Sequence, residues 1–381
     1  MTNLTTESRI RGCLLGGAIG DALGAPVEFI SGEAIETRFG PDGVRTFLPM
    51  MVDGVEARGL ITDDTQMTLF TIEGIIRALN RMNARCIGFT NGVIQHAYCR
   101  WADTQLYPTP IAKDGWLGQQ QWLYSRRAPG QTCLSALGRG TKGVEQFGDP
   151  AVNDSKGCGG VMRSAPFGWL SNRTNHETVY EQACQAAGYT HGHPTGQVAS
   201  GAFAYLIARI MDGEELLQAT NATIAFLETQ ENAQETLDAL EMAVLLATDG
   251  NVSRETLETL GGGWIAEEAL AIGVYAALSF PGKKEAIKAL SFAVSHSGDS
   301  DSTGSICGNI LGALHGETWL PSKFVIELEG RGTMLELADD INYAWRDGAT
   351  PKGQYMSASD AAMSPDELMD TKAWVERYPV W

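Results

Sequence analysis

Apolar residues recur at every third or fourth position along most of this chain, with no sustained alternation of apolar and polar residues. That spacing predicts helices rather than strands. In Ser8–Phe29, Ser8 stands as a cap and Ile10, Leu14, Leu15, Ile19 and Leu23 fall near helical spacing. Pro26 ends this helix and leaves Glu28 on the turn beyond it. Further helical patterns cover 61–79, 85–103, 161–170, 175–188, 194–212, 214–229, 231–248, 264–279, 283–296 and 333–345. Residues 31–60, rich in Gly, Pro and Asp, read as a loop, and 107–130 as an ordered excursion with a short helix. The last 35 residues are less regular. No linker or low-complexity tract divides the chain, so a compact, all-α, single domain over residues 1–381 is expected.

Two of these helices carry a second pattern. Gly12, Gly16, Gly20 and Gly24 stand four residues apart near one end of the chain, and Gly304, Gly308, Gly312 and Gly316 do the same near the other. Such glycines form one thin stripe along a helix, where another backbone can approach closely. Each costs roughly 0.8–1 kcal/mol relative to alanine inside a helix. Packing of the two stripes against each other in the core is the expected compensation.

Composition narrows the class. Apolar residues make up 44% and charged ones 19%, an ordinary globular balance. The net charge of −18 argues against a nucleic-acid-binding surface and an anionic membrane surface, and suits a protein that holds divalent cations. The seven cysteines are odd in number and show no C-x-x-C, which fits free thiols in a reducing compartment rather than a disulfide framework or zinc site. With no signal-peptide core at the N-terminus and no membrane-length apolar run, a cytoplasmic location is expected.

The candidate chemistry lies at two helix starts. Thr62, Asp63 and Asp64 open one apolar helix, and Asp299, Ser300, Asp301 and Ser302 open the second glycine-striped helix. Either cluster alone is ordinary capping chemistry. Brought together, they supply four carboxylates and several hydroxyls, the all-oxygen set preferred by hard divalent cations. Without a cation, such anions would raise one another's pKa values.

G-A-I-G-D-A-L-G-A-P-V-E-F, T-D-D-T-Q-M-T, R-R-A-P-G-x-T-C, G-C-G-G-V-M-R-S-A-P, T-H-G-H-P and G-D-S-D-S-T-G occur in this order between residues 17 and 304. Together they resemble the ADP-ribosylglycohydrolase family, whose bacterial type member is the dinitrogenase reductase-activating glycohydrolase. The resemblance implies an all-α fold with two Mg²⁺ or Mn²⁺ ions. It also implies removal of ADP-ribose from modified protein side chains, most often arginine. Carried over by position, it gives Thr62, Asp63, Asp64, Asp299, Asp301 and Ser302 as metal ligands, with Asp301 able to bridge the ions. Glu28 matches an acidic residue beside the metals and the ribose, as a base, an acid or a gate. Residues 155–160 match the loop around the diphosphate, giving Ser155, Gly157, Cys158, Gly159 and Gly160 as substrate-binding. The family usually has Thr at position 302, and many members have Asn at 158.

Cleavage of an N-glycosidic bond passes through an oxocarbenium-like centre and needs an activated water, which carboxylates and metals can supply. His191 is read as lining the substrate cleft, and His193, His296 and His315 as structural. Trp116, Trp122 and Tyr124 are read as core cover, with adenine stacking as the other possibility. The expected partners are an ADP-ribosylated protein and a cognate ADP-ribosyltransferase. A different class of function is an immunity-type protein that blocks such a transferase by binding, with 31–60 or 104–130 as the blocking segment.

Overall fold

The computed structural model describes residues 4–52, 54–85, 89, 91–111, 114–138, 148–344 and 372–379. Its helices are α1 (Thr6–Gly24), α2 (Gly32–Phe39), α3 (Asp63–Arg85), α4 (Gly92–Leu106), α5 (Gln131–Leu137) and α6 (Ala165–Gly168). They continue with α7 (His176–Gly188), α8 (Pro194–Met211), α9 (Leu216–Leu227), α10 (Gln234–Asp249) and α11 (Arg254–Glu258). The series closes with α12 (Ala266–Ser279), α13 (Ala286–Val294), α14 (Ser300–His315), α15 (Ser322–Glu327) and α16 (Arg331–Ala344). The all-α expectation holds, with one exception among the described residues. Met50–Val52 and Val55–Ala57 pair antiparallel as a short hairpin inside the segment read as loop.

Helices α1 and α14 form the axis of the molecule. They run antiparallel with their glycine stripes in contact. A β-carbon built at Gly16, Gly20 or Gly24 would overlap the backbone carbonyl of Gly308, Gly304 or Ser300 in turn. Both helices are buried along nearly their whole length. Asn309 reinforces the contact by donating from its side chain to the Cys13 carbonyl at 2.8 Å. Backbone contact this close removes helix propensity as the deciding factor, because tertiary packing fixes both helices. It also sets the functional geometry, since the N-terminus of α14 is held beside the C-terminus of α1.

Pro26 does end the first helix: a single 3₁₀ turn, Ala25–Val27, follows and delivers Glu28. The pair of segments Thr6–Val27 and Gly32–Phe39 bends by 97°, and no single described helix is long and apolar enough to cross a membrane. Helix α2 was hidden in a stretch of turn-forming residues. Ser31 caps it by accepting from the Ala34 amide, and Gly32 and Ile35 are its buried positions. Trp116, Trp122 and Tyr124 cover the core and lie outside the cleft described below. Arg377 stacks over Trp116, Trp122 presses on Gly330, and Tyr124 donates to the Gly118 carbonyl. None of the six described cysteines forms a disulfide, and Cys86 lies outside the described residues.

Candidate active site

Two helix N-termini meet at the end of α1. Asp21, fully buried in α1, accepts from the Thr62 amide at 3.1 Å and from the Thr65 amide at 3.2 Å. The Thr65 hydroxyl also donates to it at 2.5 Å. This internal carboxylate therefore caps α3 from a neighbouring helix. On the other side Asp299 caps α14, accepting from the Ser302 amide at 3.2 Å. The Ser302 hydroxyl then donates to Asp64 Oδ2 at 2.9 Å, joining turns 238 residues apart in the chain. The two acidic clusters expected from the sequence are thus brought together.

Asp63, Asp64, Asp299, Asp301 and Ser302 share one cleft of about 210 Å³ with Glu28. Thr62 is buried just behind them, its hydroxyl accepting from the Asp64 amide at 3.3 Å. The opposite wall is Ala128, Gly130, Thr132, Gly157, Cys158, Gly159 and His191. Gly160 turns away from the cleft against Ser200 and Ala187. Ser155 stands behind the wall and shares a 3.2 Å hydrogen bond with Thr132. His191 packs under the glycine loop, with its Nδ1 2.8 Å from the Thr190 hydroxyl. Burial, with Arg163 beside it, lowers its pKa to about 3, so the ring is neutral. His193 caps α8 through its Nδ1, while His296 bonds Thr303 and His315 the Pro281 carbonyl, all structural roles.

Two further features complete the site, and neither stands out in the sequence. Arg163 is a buried cation that donates to the Gly159 carbonyl and to the Thr190 hydroxyl, both at 2.6 Å. It fixes the glycine loop and His191 together. The triple-glycine turn before Trp264 rests on the acidic turn: the Asp299 amide donates to Gly262 at 2.8 Å, and Gly263 packs on Thr303. The Trp264 carbonyl accepts from the Cys158 amide at 3.1 Å, so this turn also holds the glycine loop. The Cys158 thiol donates to Asp299 Oδ2 at 2.9 Å. Burial and that carboxylate push its pKa well up, which leaves a neutral thiol and no nucleophile.

Helix dipoles favour anions at these N-termini, yet burial dominates. It holds Asp63, Asp64 and Asp299 well above the ordinary carboxylate range, and neighbouring carboxylates add to the effect. Burial and then Asp301 push Asp21 to about 7 and Glu28 to about 9. Folded-state pKa values above the unfolded ones mean that the folded metal-free protein binds more protons than the unfolded chain. Its stability should therefore fall as pH rises from about 4 through 7 to 9, the window between the two sets of values. Melting the chelator-treated protein between pH 5 and 8.5 checks this; a flat or rising profile would contradict the reading. Since cations need ionised ligands, stabilisation by added Mg²⁺ should grow over the same range.

Comparison with known proteins decides the family. The family model described as ADP-ribosylglycohydrolase matches residues 2–350. The chain belongs to the ADP-ribosylglycohydrolase family. An uncharacterized protein of Archaeoglobus fulgidus is 28% identical over 88% of this chain and 96% of its own length. The uncharacterized protein YegU of Escherichia coli is 23% identical over 84% and 92%. A solved ADP-ribosylglycohydrolase-related protein complex superposes with a TM-score of 0.61 at 25% identity, over 88% of this chain and 97% of that one. Membership supports hydrolysis of an ADP-ribose linkage as the class of reaction, and the family is metal-dependent.

The donor chemistry fits a hard cation. The residues that α3 and α14 contribute where they meet offer oxygen, and burial first, with the neighbouring carboxylates second, disfavours ionisation of Asp63, Asp64 and Asp299 in the absence of a cation. Among the described residues, however, no group of three His, Cys, Asp or Glu side chains is set to hold an ion as it stands. The oxygens are engaged elsewhere. Asp63 accepts from the Gly130 amide at 3.2 Å, Asp301 from the Ser302 amide at 2.9 Å, and Asp64 from the Ser302 hydroxyl.

Proposed function

We propose that this ADP-ribosylglycohydrolase removes ADP-ribose from a modified protein side chain, with arginine as the acceptor and two Mg²⁺ or Mn²⁺ ions as cofactors. What supports the reading is the convergence of both acidic turns with Glu28 and the glycine loop in one cleft. Thr62, Asp63, Asp64, Asp299, Asp301 and Ser302 would hold the ions. Bound there, the ions supply positive charge that fixes ribose hydroxyls and makes nearby water more acidic.

The chain's own residues do the rest. In the glycine loop the Cys158 amide is taken by Trp264 and the Gly157 amide by Ser155 Oγ at 3.3 Å. That leaves the amide of Gly159, in the cleft wall, for a diphosphate oxygen. Neutral His191 beneath the loop adds no charge, and Arg163 brings a buried positive one toward the phosphates. Among the described residues no donor holds the Glu28 carboxyl, unlike the aspartates around it. Glu28 is therefore the proton carrier: ionised once bound cations offset the carboxylates around it, it takes a proton from the attacking water as the C1–N bond of the guanidinium linkage breaks, and the bond's electron pair leaves with the neutral guanidine.

The test is release of ADP-ribose from an arginine-modified protein with Mg²⁺ or Mn²⁺. Glu28→Gln should lower kcat about 10²–10⁴-fold while ADP-ribose affinity stays within about twofold. Undiminished turnover in that variant removes Glu28 from proton transfer, and no release by the wild type rejects the reading. The other reading is an immunity protein that binds a transferase, for which the hairpin with exposed Met51 and Val55 offers a contact surface. A turnover-dead Glu28→Gln protein that still neutralised the transferase would favour it.

A further inference from the structure

Phe29 stacks on Trp264, a residue of the cleft lining, with ring centroids 5.7 Å apart and planes 24° apart. They are 79% and 45% exposed, whereas Trp101, Trp169 and Trp319 are at most 5% exposed. Exposed aromatics on mobile loops would mean little, but the backbone under Trp264 is tightly specified. Gly261 and Gly263 have φ of +112° and +78°, a region that favours glycine. Glu268 accepts from the Gly262 and Gly263 amides at 3.0 and 3.1 Å, and the Asp299 amide holds Gly262 from the other side. The fold thus fixes an exposed indole in one place, over the acidic cleft.

We infer that the Phe29–Trp264 pair is the platform for the acceptor side chain, and that it takes a planar cation, the guanidinium of an ADP-ribosylated arginine. The inference rests on the proposed function and adds the residues that choose its substrate. Two observations carry it. Phe29 directly follows Glu28, and both Glu28 and Trp264 line the cleft, so the pair stands beside the carboxylate proposed to act where the glycosidic bond breaks. The face of an indole attracts a cation, and Glu28, a carboxylate outside the proposed metal ligands, lines the same cleft. A guanidinium presses its plane on the ring and keeps its N–H groups for the Glu28 carboxyl.

The experiment compares ADP-ribosyl-agmatine, a soluble guanidinium conjugate, with free ADP-ribose. Each displaces fluorescent etheno-ADP-ribose from the Mg²⁺-loaded protein, read before turnover. In the wild type the conjugate should bind about tenfold more tightly than ADP-ribose, the worth of one desolvated cation–π contact. Trp264→Ala and Phe29→Ala should bring that ratio towards one without changing ADP-ribose affinity, and Trp264→Phe should keep most of it. Both side chains are exposed, so these variants are expected to fold. An equal loss for both ligands would overturn the inference by placing the pair under ADP-ribose itself. So would a wild-type ratio of one, even if arginine-linked ADP-ribose is released. A tenfold ratio lost in Trp264→Ala, without any release, would uphold the platform and reject the proposed hydrolysis instead.

Discussion

Asp301→Ala is expected to lower turnover by about 10³-fold or more and to abolish stabilisation by Mg²⁺, while the metal-free protein melts within a few degrees of the wild type. Asp301 lies in the first turn of α14 and is 4% exposed. Its charge raises the pKa values of Asp21, Glu28, Asp63, Asp64 and Asp299 alike, so it stands at the electrostatic centre of the cluster. Removing it from the metal-free protein relieves repulsion. Removing it from the working protein deletes the ligand through which both acidic turns would share a cation. Charge stabilisation of this kind supplies several kcal/mol, and each 1.36 kcal/mol is tenfold in rate. Thermal shifts with and without Mg²⁺ and ADP-ribose, beside a turnover assay, check it. A variant with undiminished turnover and metal response would take Asp301 out of the site.

Gly308→Val should be the most damaging single change to the fold, costing more than about 3 kcal/mol or preventing soluble expression. A β-carbon at Gly308 meets the Gly16 carbonyl, a backbone group in a buried helix that cannot rotate away. Accommodating valine means separating α1 from α14, and that separation would also pull the α14 N-terminus from Glu28. Gly332→Ala is the control. Gly332 lies in α16 with open space where a β-carbon would go, so alanine there should stabilise by roughly 0.4–1 kcal/mol. Urea unfolding of both variants separates the readings. Equal stabilities would show that glycine content, rather than contact between the two stripes, governs these helices.

Much of the site was legible in the sequence because its parts are local. A Thr-Asp-Asp or Asp-x-Asp at the start of an apolar helix shows both its oxygens and its position, and a four-residue glycine period shows a helix built for close approach. Pro26 marked the end of α1 and the place of Glu28 for the same reason. Elements that broke the reading lacked a period. The hairpin at 50–57 has three-residue strands with exposed or half-buried side chains, and α2 buries little beyond Ile35. Neither carries enough apolar pattern to stand out from a loop.

The sequence by itself determined the all-α class, the family motifs and the two acidic helix starts, since spacing along one helix encodes each. Tertiary structure alone decided that Asp21 caps a helix other than its own, that Arg163 pins the glycine loop to His191, and that Trp264 is held over the cleft. Each of the three depends on at least one hydrogen bond between segments well separated in the chain, Asp21 to Thr62, Arg163 to Thr190 and Cys158 to Trp264. A buried aspartate, arginine or glycine turn has no periodic signature, because its partner is chosen by the fold.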